Sequence, residues 1–356
     1  MTLLKFLPCY FFILIHLLIS AVGINSDLSS KQNIPISKHD PRPKKLFVFG
    51  DSYADTGNIP RSQSPSWKQP YGVTFPGRPS GRFSDGRILT DYIAKFLGIQ
   101  SPTPYQWRKL ARQRLHNGMN FAYGGTGVFD TDVQLPNMTN QIDLLQKLML
   151  PDSLYSKTDL QSSLVLVTLC GNDYSDLSTT GGSIPDIMAY ITRVVNQLEL
   201  NLKRIETLGA RKIVVTGLQP LGCLPRETEE SSYKQCNETE NTLAVFHNFL
   251  LQQAVAKLNN ESKSSKPVFT VLDLYASFNK VLQNKGGVMF RTPLKPCCMG
   301  IRGDSRCGSV NDKGVKLYNV CRNPESAFFW DTSHPTQAGW SVVFSSYLKA
   351  TLEQCF

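Results

Sequence analysis

The chain has 356 residues, a length at which α/β enzymes often form one unit although it exceeds the usual single-domain size. Its formal net charge is +10, but the basic residues are dispersed and no signature of a nucleic-acid-binding module occurs. These features exclude nucleic acid as the expected partner. They favour a basic surface that attracts acidic polysaccharide or anionic lipid.

The N-terminal segment has the pattern of a secretory signal peptide over residues 1–23. It contains an early cation, Lys5, followed by an apolar run and a small-residue end. A membrane anchor is the alternative, which His16 and the short apolar length disfavour. Residues 24–44 are polar and contain prolines, so they predict an extended mature N-terminus. Residues 45–356 are predicted to form a single domain, with no transmembrane segment in the mature chain.

Eight cysteines remain after the predicted signal peptide, an even number that predicts disulfide bonds in an oxidising compartment. The cluster from Cys297 to Cys321 lies in a loop-like region, where disulfides stabilise most. Zinc binding is the alternative, but the adjacent Cys297 and Cys298 lack the Cys-x-x-Cys spacing of zinc sites. We therefore expect no metal. Three Asn-x-Ser/Thr motifs agree with secretion and predict glycosylation at Asn137, Asn237 and Asn260.

Residues 46–49 form a short apolar run rich in aromatic and β-branched side chains, which predicts a strand buried on both faces. Gly50 ends this strand, because a glycine turns the chain without a Cβ penalty. Ser52 would then project into the crevice where open α/β sheets bind ligands. The alternative is a serine that caps the N-terminus of a buried helix.

The next segment, residues 59–87, has too many Pro, Gly and Ser residues for a long helix. Its aromatic residues indicate an ordered loop on the substrate side of the sheet. Such rings would either line a pocket or belong to the ordinary core; they are Trp67, Tyr71, Phe75 and Phe83, together with Trp107 and Phe129 further along. A helix is predicted from about Leu89 to Phe96, where Gly98 ends it.

Four further strands are predicted, at residues 119–123, 163–169, 212–216 and 268–272. Helical periodicity spans residues 187–208 and 243–258, and a last amphipathic helix has Pro335 in its first turn. Apolar strands that alternate with amphipathic helices are typical of a parallel sheet covered on both faces. The predicted fold is therefore a single three-layer α/β/α domain with a central, mainly parallel sheet.

Five residues suit acyl-transfer chemistry at the carboxyl edge of this sheet. A serine hydroxyl needs a base within hydrogen-bond reach and donors for the oxyanion that forms. Ser52 follows the first strand, Gly125 the second and Asn172 the third, and these loops should meet at one edge. His334 is the candidate base, and Asp331, three residues earlier, is suited to hold its tautomer.

Each of these residues has an ordinary structural alternative. Gly125 could serve only a turn, Asn172 could be a left-handed turn residue, and His334 could be an exposed surface histidine. Only His334 among the histidines after the signal peptide has a carboxylate at short spacing and follows an apolar, strand-like run. The combination therefore favours a catalytic site over five separate structural roles.

The blocks around these residues resemble those of the SGNH, or GDSL, hydrolase family, in particular its plant GDSL esterase/lipases. The resemblance covers residues 45–354 and is carried by four blocks in order, at residues 49–58, 120–125, 171–173 and 331–336. Tyr53 stands where the family name has leucine. The pattern G-x-S-x-G does not occur around Ser52, so the tight elbow of α/β-hydrolases is not expected.

The resemblance implies a flavodoxin-like SGNH fold and a secreted serine esterase or lipase, in the apoplast or cell wall, that forms an acyl-enzyme on Ser52. It implies His334 as base, Asp331 as its orienting acid, and an oxyanion hole of Ser52, Gly125 and Asn172. Gly124 is the alternative to Gly125. No cofactor is implied, and the partner is a small-molecule, lipid or polysaccharide ester. An acyltransferase with the same triad and an inactive binding module are the alternative functions.

Overall fold

The computed structural model describes residues 42–151, 153–175, 183–283 and 290–356. The signal peptide predicted over residues 1–23 lies outside the described residues, as does most of the extended segment predicted over residues 24–44. Within the described ranges, no helix is long and apolar enough to cross a membrane.

A parallel sheet of six strands forms the centre of the described part of the chain, in the order β2-β3-β1-β4-β5-β6. Its strands are β1 (Leu46–Phe49), β2 (Thr103–Pro104), β3 (Gly118–Asn120), β4 (Leu164–Val167), β5 (Ile213–Thr216) and β6 (Phe269–Leu272). Without the edge strand β2, the order is the flavodoxin-like one, with its switch point beside β1. All residues of β1, β4 and β5 are buried, as their apolar runs predict.

Helices cover both faces of the sheet and confirm the predicted three-layer fold. One group packs together as α2, α4 and α6, and a second group joins α1 and α7 to α8. The helices are α1 (Leu89–Phe96), α2 (Met138–Lys147), α3 (Lys157–Gln161), α4 (Ile184–Leu208), α5 (Pro225–Thr228), α6 (Glu238–Glu261), α7 (Leu274–Gln283), α8 (Gln337–Val343) and α9 (Lys349–Glu353), with a π-helical stretch at Phe344–Leu348.

The predicted elements are present, with differences at their ends. Pro335 does not lie in the first turn of the last helix, because the Thr336 side chain caps that helix by accepting from the N–H of Gly339. The sequence patterns did not predict the helices α2, α3, α5 and α7 or the two-residue strand β2. An antiparallel hairpin also escaped them; its strands are β7 (Cys298–Gly300) and β8 (Tyr318–Val320).

Six of the cysteines form three disulfides, Cys223–Cys236, Cys297–Cys321 and Cys298–Cys307. Two of them tie the β7–β8 hairpin to a small buried cluster that includes Tyr71 and Trp330. Cys170 and Cys355 are free thiols. The predicted disulfides are thus present, and the structure supplies the pairing that the spacing left open.

The turn after β1 is fixed by contacts that only a glycine accommodates. Gly50 has a φ of 128°, and a Cβ atom on it would lie 2.2 Å from the carbonyl oxygen of Thr168. The buried Gln141 side chain accepts from the Gly50 N–H at 2.8 Å and donates to the Gly50 carbonyl at 2.9 Å. The chain therefore leaves the sheet in one direction, which sets the position of Ser52.

Candidate active site

The structure brings Ser52, His334 and Asp331 into a continuous hydrogen-bonded chain. His334 Nε2 lies 2.8 Å from Ser52 Oγ, and His334 Nδ1 lies 2.8 and 2.9 Å from the two carboxylate oxygens of Asp331. Ser52 lies in a turn after β1 and not at a helix N-terminus, so the capping alternative for Ser52 is wrong. This geometry is the one in which an imidazole can take the serine proton.

Asp331 is almost fully buried and is held by four donors. Its Oδ1 accepts from the backbone N–H groups of Ser333 and His334, each at 2.9 Å, and its Oδ2 accepts from the Tyr71 hydroxyl at 2.7 Å. Burial alone would raise the pKa of Asp331, but the charge that His334 carries when protonated and these hydrogen bonds outweigh it, so the pKa lies below its usual value. Asp331 is therefore ionised at neutral pH.

Two tyrosines hold the His334 loop, although the sequence analysis assigned neither of them a contact with this loop. Tyr71 reaches Asp331 from the aromatic-rich loop, 260 residues away in sequence. Tyr53 donates its hydroxyl to the Ser333 carbonyl at 3.0 Å, and its ring packs edge-on against Trp340. Tyr53 thus packs behind the candidate triad and also forms part of the wall of the small cavity beside Ser52. The only sequence feature that could have pointed to Tyr71 was the aromatic enrichment of residues 59–87.

A buried carboxylate, Asp51, orders the Ser52 turn from beneath. It accepts from the N–H of Tyr53, from the N–H of Cys170 and from the hydroxyl of Thr168. Burial raises the pKa of Asp51 above its usual value, against the opposing effect of these hydrogen bonds. The turn after β1 and the turn after β4 are therefore joined at the switch point. The Cys170 thiol lies 3.7 Å from Ser52 Oγ.

Gly125 and Asn172 lie beside Ser52, as their positions after β3 and β4 predict. All three line one small cavity of about 130 Å³ with His334. Asn172 donates one amide hydrogen to the Thr126 carbonyl at 2.9 Å, which fixes the side chain and leaves the second hydrogen for another acceptor. The left-handed residue of this turn is Gly171, with a φ of 98°, so the alternative of a left-handed Asn172 is wrong.

Gly125 rather than Gly124 faces the cavity. The Gly124 N–H is already bound to the buried carboxylate of Asp55 at 3.0 Å, whereas Gly125 has a φ of 82° and lines both cavities next to His334. Asp55 also accepts from the N–H groups of Gly57 and Asn58, and burial raises its pKa to about 6. It ties the Ser52 block to the Gly125 block.

A second, larger cavity of about 630 Å³ adjoins the small one and shares Phe83, Gly125, Ser333 and His334 with it. Of the aromatic residues singled out above, Phe83 lies in both cavities, with its ring 5.0 Å from that of His334. Trp67, Phe75 and Trp107 line a separate cavity. The aromatic-rich loop thus contributes two rings, Phe83 and Tyr71, to the candidate site, and its other two rings lie elsewhere.

The other histidines of the described chain do not belong to the site. His247 is fully buried in α6, with Nδ1 2.7 Å from the Tyr174 hydroxyl, and burial lowers its pKa to about 3. His116 is exposed. Among the described residues, no group of three or more His, Cys, Asp or Glu side chains is arranged to hold a metal ion.

Comparison with known proteins assigns the family. A family model described as GDSL-like lipase/acylhydrolase matches residues 46–346. The chain belongs to this family. It is 53% identical to GDSL esterase/lipase At5g03610 of Arabidopsis thaliana over 97% of this chain and 96% of that protein. It is 52% identical to GDSL esterase/lipase At3g09930 of the same plant, over 92% and 94% of the two chains.

A more distant GDSL relative has a named substrate. Acetylajmalan esterase 2 of Rauvolfia serpentina is 32% identical, over 82% of this chain and 86% of that protein. The family and these relatives confirm the prediction of a carboxylic ester hydrolase of the GDSL type.

Proposed function

We propose that this GDSL protein is a secreted serine esterase in which Ser52 is the nucleophile, His334 the general base and Asp331 the residue that orients His334. The observation that carries the proposal is the hydrogen-bonded chain from Ser52 Oγ through both ring nitrogens of His334 to Asp331. Because Asp331 accepts at Nδ1, the neutral ring bears its proton there and presents a lone pair at Nε2 to the serine.

In the first half of the reaction, His334 Nε2 takes the Ser52 proton while Oγ bonds to the carbonyl carbon of the ester. The tetrahedral oxyanion then collapses, and the imidazolium gives its proton to the departing alcohol oxygen. In the second half, a water oxygen bonds to the acyl carbon while His334 Nε2 takes a proton from the water. The bond between that carbon and Ser52 Oγ then breaks, the imidazolium returns the proton to Oγ, and the acid is released. The ionised Asp331 stabilises the imidazolium in both halves.

The oxyanion would be bound by the backbone N–H groups of Ser52 and Gly125 and by the free amide hydrogen of Asn172. Three observations support this assignment: these residues line the same small cavity as His334, the Asn172 side chain is fixed by Thr126, and Gly125 rather than Gly124 is available. Donors that are fixed before the reaction stabilise the developing charge without reorganisation.

Removal of the Asn172 amide should lower kcat by about 10²- to 10³-fold, which is the usual effect of losing one oxyanion donor. Replacing Asn172 by alanine tests this with 4-nitrophenyl acetate, and Asn140→Ala, an exposed asparagine on α2, is the matched control. KM should change much less than kcat, because the donor acts on the transition state. A kcat within threefold or so of wild type would remove Asn172 from the oxyanion hole.

We also propose that the chain is secreted after removal of residues 1–23 and is glycosylated at Asn137, Asn237 and Asn260. Three disulfides within the described residues support an oxidising compartment. Asn260 is exposed near the end of α6, whereas Asn137 and Asn237 use their Oδ1 atoms to cap helices. Mass spectrometry of protein expressed in plant cells, before and after glycan removal, should find the mature N-terminus at residue 24 and glycan on these asparagines. Intracellular, unglycosylated full-length protein would contradict the proposal.

A further inference from the structure

The two cavities beside His334 differ in size and in the number of unpaired cations among their described lining residues. The smaller one, about 130 Å³, is lined by the proposed oxyanion donors together with Cys170, Leu224 and one cation, Arg226, and it is too small for a long acyl chain. Arg226 is paired with Glu227 at 3.2 Å. The larger one, about 630 Å³, begins at the same histidine. An ester whose carbonyl lies at Ser52 therefore has room for a small group on one side and for a larger group on the other.

Three cations line the larger cavity: Lys295, Arg302 and Arg306. None of them has a carboxylate within ion-pair distance among the described residues. Two acids line the same cavity. Asp331 accepts hydrogen bonds from His334 and Tyr71, so Glu229 is the one described acid of this cavity without a hydrogen bond to either residue. Among the described residues, three cations thus line this cavity against two carboxylates, so one formal positive charge is in excess and none of the three cations is in an ion pair.

These cations lie on a segment that is fixed relative to the triad. The Cys298–Cys307 disulfide closes the loop that contains Arg302 and Arg306, and Cys297–Cys321 ties its base to the hairpin. The N–H groups of Cys297 and Cys298 bind the carbonyls of Phe329 and Trp330 at 3.0 and 2.7 Å. Trp330 directly precedes Asp331 in the chain, so the loop and the proposed triad are held together.

We infer that the larger cavity binds an anionic group on the alcohol part of the ester, while the smaller cavity binds a short acyl group. This inference rests on the function proposed above and adds the class of substrate: a short-chain ester of an alcohol that carries a carboxylate, such as an O-acetylated uronic acid. The chemical basis is charge complementarity between a carboxylate and guanidinium or ammonium groups in a concave site, where screening by water is weaker than on an open surface.

Because the three cations are exposed, each should contribute a modest preference for the acidic substrate, about two- to fivefold in kcat/KM. Together they should give about a tenfold preference at low ionic strength, which should fall as salt screens the charges. The preference should appear mainly in KM, because the anionic group is distant from the bond that breaks.

The test compares two acetyl esters that differ in charge on the alcohol side: O-acetylated methyl glucuronic acid glycoside and O-acetylated methyl glucoside. Acetate release gives the acid-to-neutral ratio of kcat/KM for the wild type and for Lys295→Gln, Arg302→Gln and Arg306→Gln. Lys313→Gln is the matched control, since Lys313 is exposed on the same disulfide-linked segment but lines neither cavity. A second pair of substrates differs in charge on the acyl side: 4-nitrophenyl hydrogen glutarate carries a carboxylate there, and its methyl ester does not.

The expected result is a wild-type ratio of about ten that falls towards unity in the three variants and in high salt, but not in Lys313→Gln. A wild-type ratio near unity would overturn the inference while ester hydrolysis stands. A charge preference confined to the glutarate pair would also overturn it, by placing the anionic group on the acyl side. If the protein hydrolyses neither of the two acetyl esters and also fails to hydrolyse 4-nitrophenyl acetate, the proposed function is overturned as well.

Discussion

Replacing His334 by alanine is expected to lower kcat for 4-nitrophenyl acetate by about 10³-fold or more, with the fold retained. His334 Nε2 is 2.8 Å from Ser52 Oγ, and no other histidine lines the cavities beside Ser52 in the described chain. Without this base the serine hydroxyl stays protonated at neutral pH and is a poor nucleophile. Ser52→Ala should lose activity to a similar extent, because it removes the attacking atom itself.

The double variant Ser52→Ala/His334→Ala tests whether Ser52 and His334 act in the same step. Residues that act as one unit are strongly non-additive, so the double variant should be no slower than either single variant. Circular dichroism and thermal unfolding of all three variants provide the control for folding, and the exposed His116→Ala provides the control for loss of an imidazole. Near-normal turnover by a folded His334→Ala would show that another residue is the base. Additive losses would show that Ser52 and His334 act in separate steps.

Asp331→Asn is expected to reduce kcat strongly, but by about tenfold to 10²-fold less than His334→Ala, because Asp331 orients the base without contacting the ester. The N–H groups of Ser333 and His334 both point at Oδ1, so the amide oxygen of an asparagine must take that position. Its NH₂ group then faces Tyr71 and His334 Nδ1. The imidazole is driven to the tautomer with its proton on Nε2, which cannot accept from Ser52.

Tyr71→Phe is the matched control for this variant. It removes the 2.7 Å hydrogen bond to Oδ2 but keeps the ring, whose centroid lies 6.0 Å from that of Trp330. The carboxylate, its three other donors and the His334 tautomer remain, so kcat should fall by less than about tenfold, the effect of a net hydrogen-bond contribution of about 1 kcal/mol. Measurement of kcat and KM for both variants checks the assignment. A loss in Asp331→Asn as large as in Ser52→Ala, with the protein folded, would require a different role for Asp331.

Much of the fold follows from local patterns in the chain. Strands β1, β4 and β5 are buried on both faces, so each is a continuous apolar run that can be recognised as a buried strand from the sequence. The long helices α4 and α6 are amphipathic enough, or long enough, to be recognised by periodicity. The short elements were not predicted, because β2 has only two residues and the hairpin β7–β8 is held by disulfides rather than by an apolar run.

The candidate triad was also accessible from the sequence, because each of its members is close to a recognisable strand end or block. Parallel strands place their carboxyl ends at one edge, and β1 and β4 are neighbours in the sheet, so Ser52 and Asn172 lie close together. The short Asp331 to His334 spacing put the acid and the imidazole on one loop. Proximity in space was therefore set by the strand order and by local spacing, which are both properties that a pattern can reveal.

The sequence by itself determined the class of fold, the family blocks and the residues for the proposed reaction, since these depend on contacts between neighbours along the chain or along a sheet edge. Only the tertiary structure decided the disulfide pairing, the contact of Tyr71 with Asp331 and the cluster of Lys295, Arg302 and Arg306 beside His334. These contacts join residues far apart in sequence that lie on irregular loops. No periodicity governs such loops, and their course depends on packing against the rest of the protein.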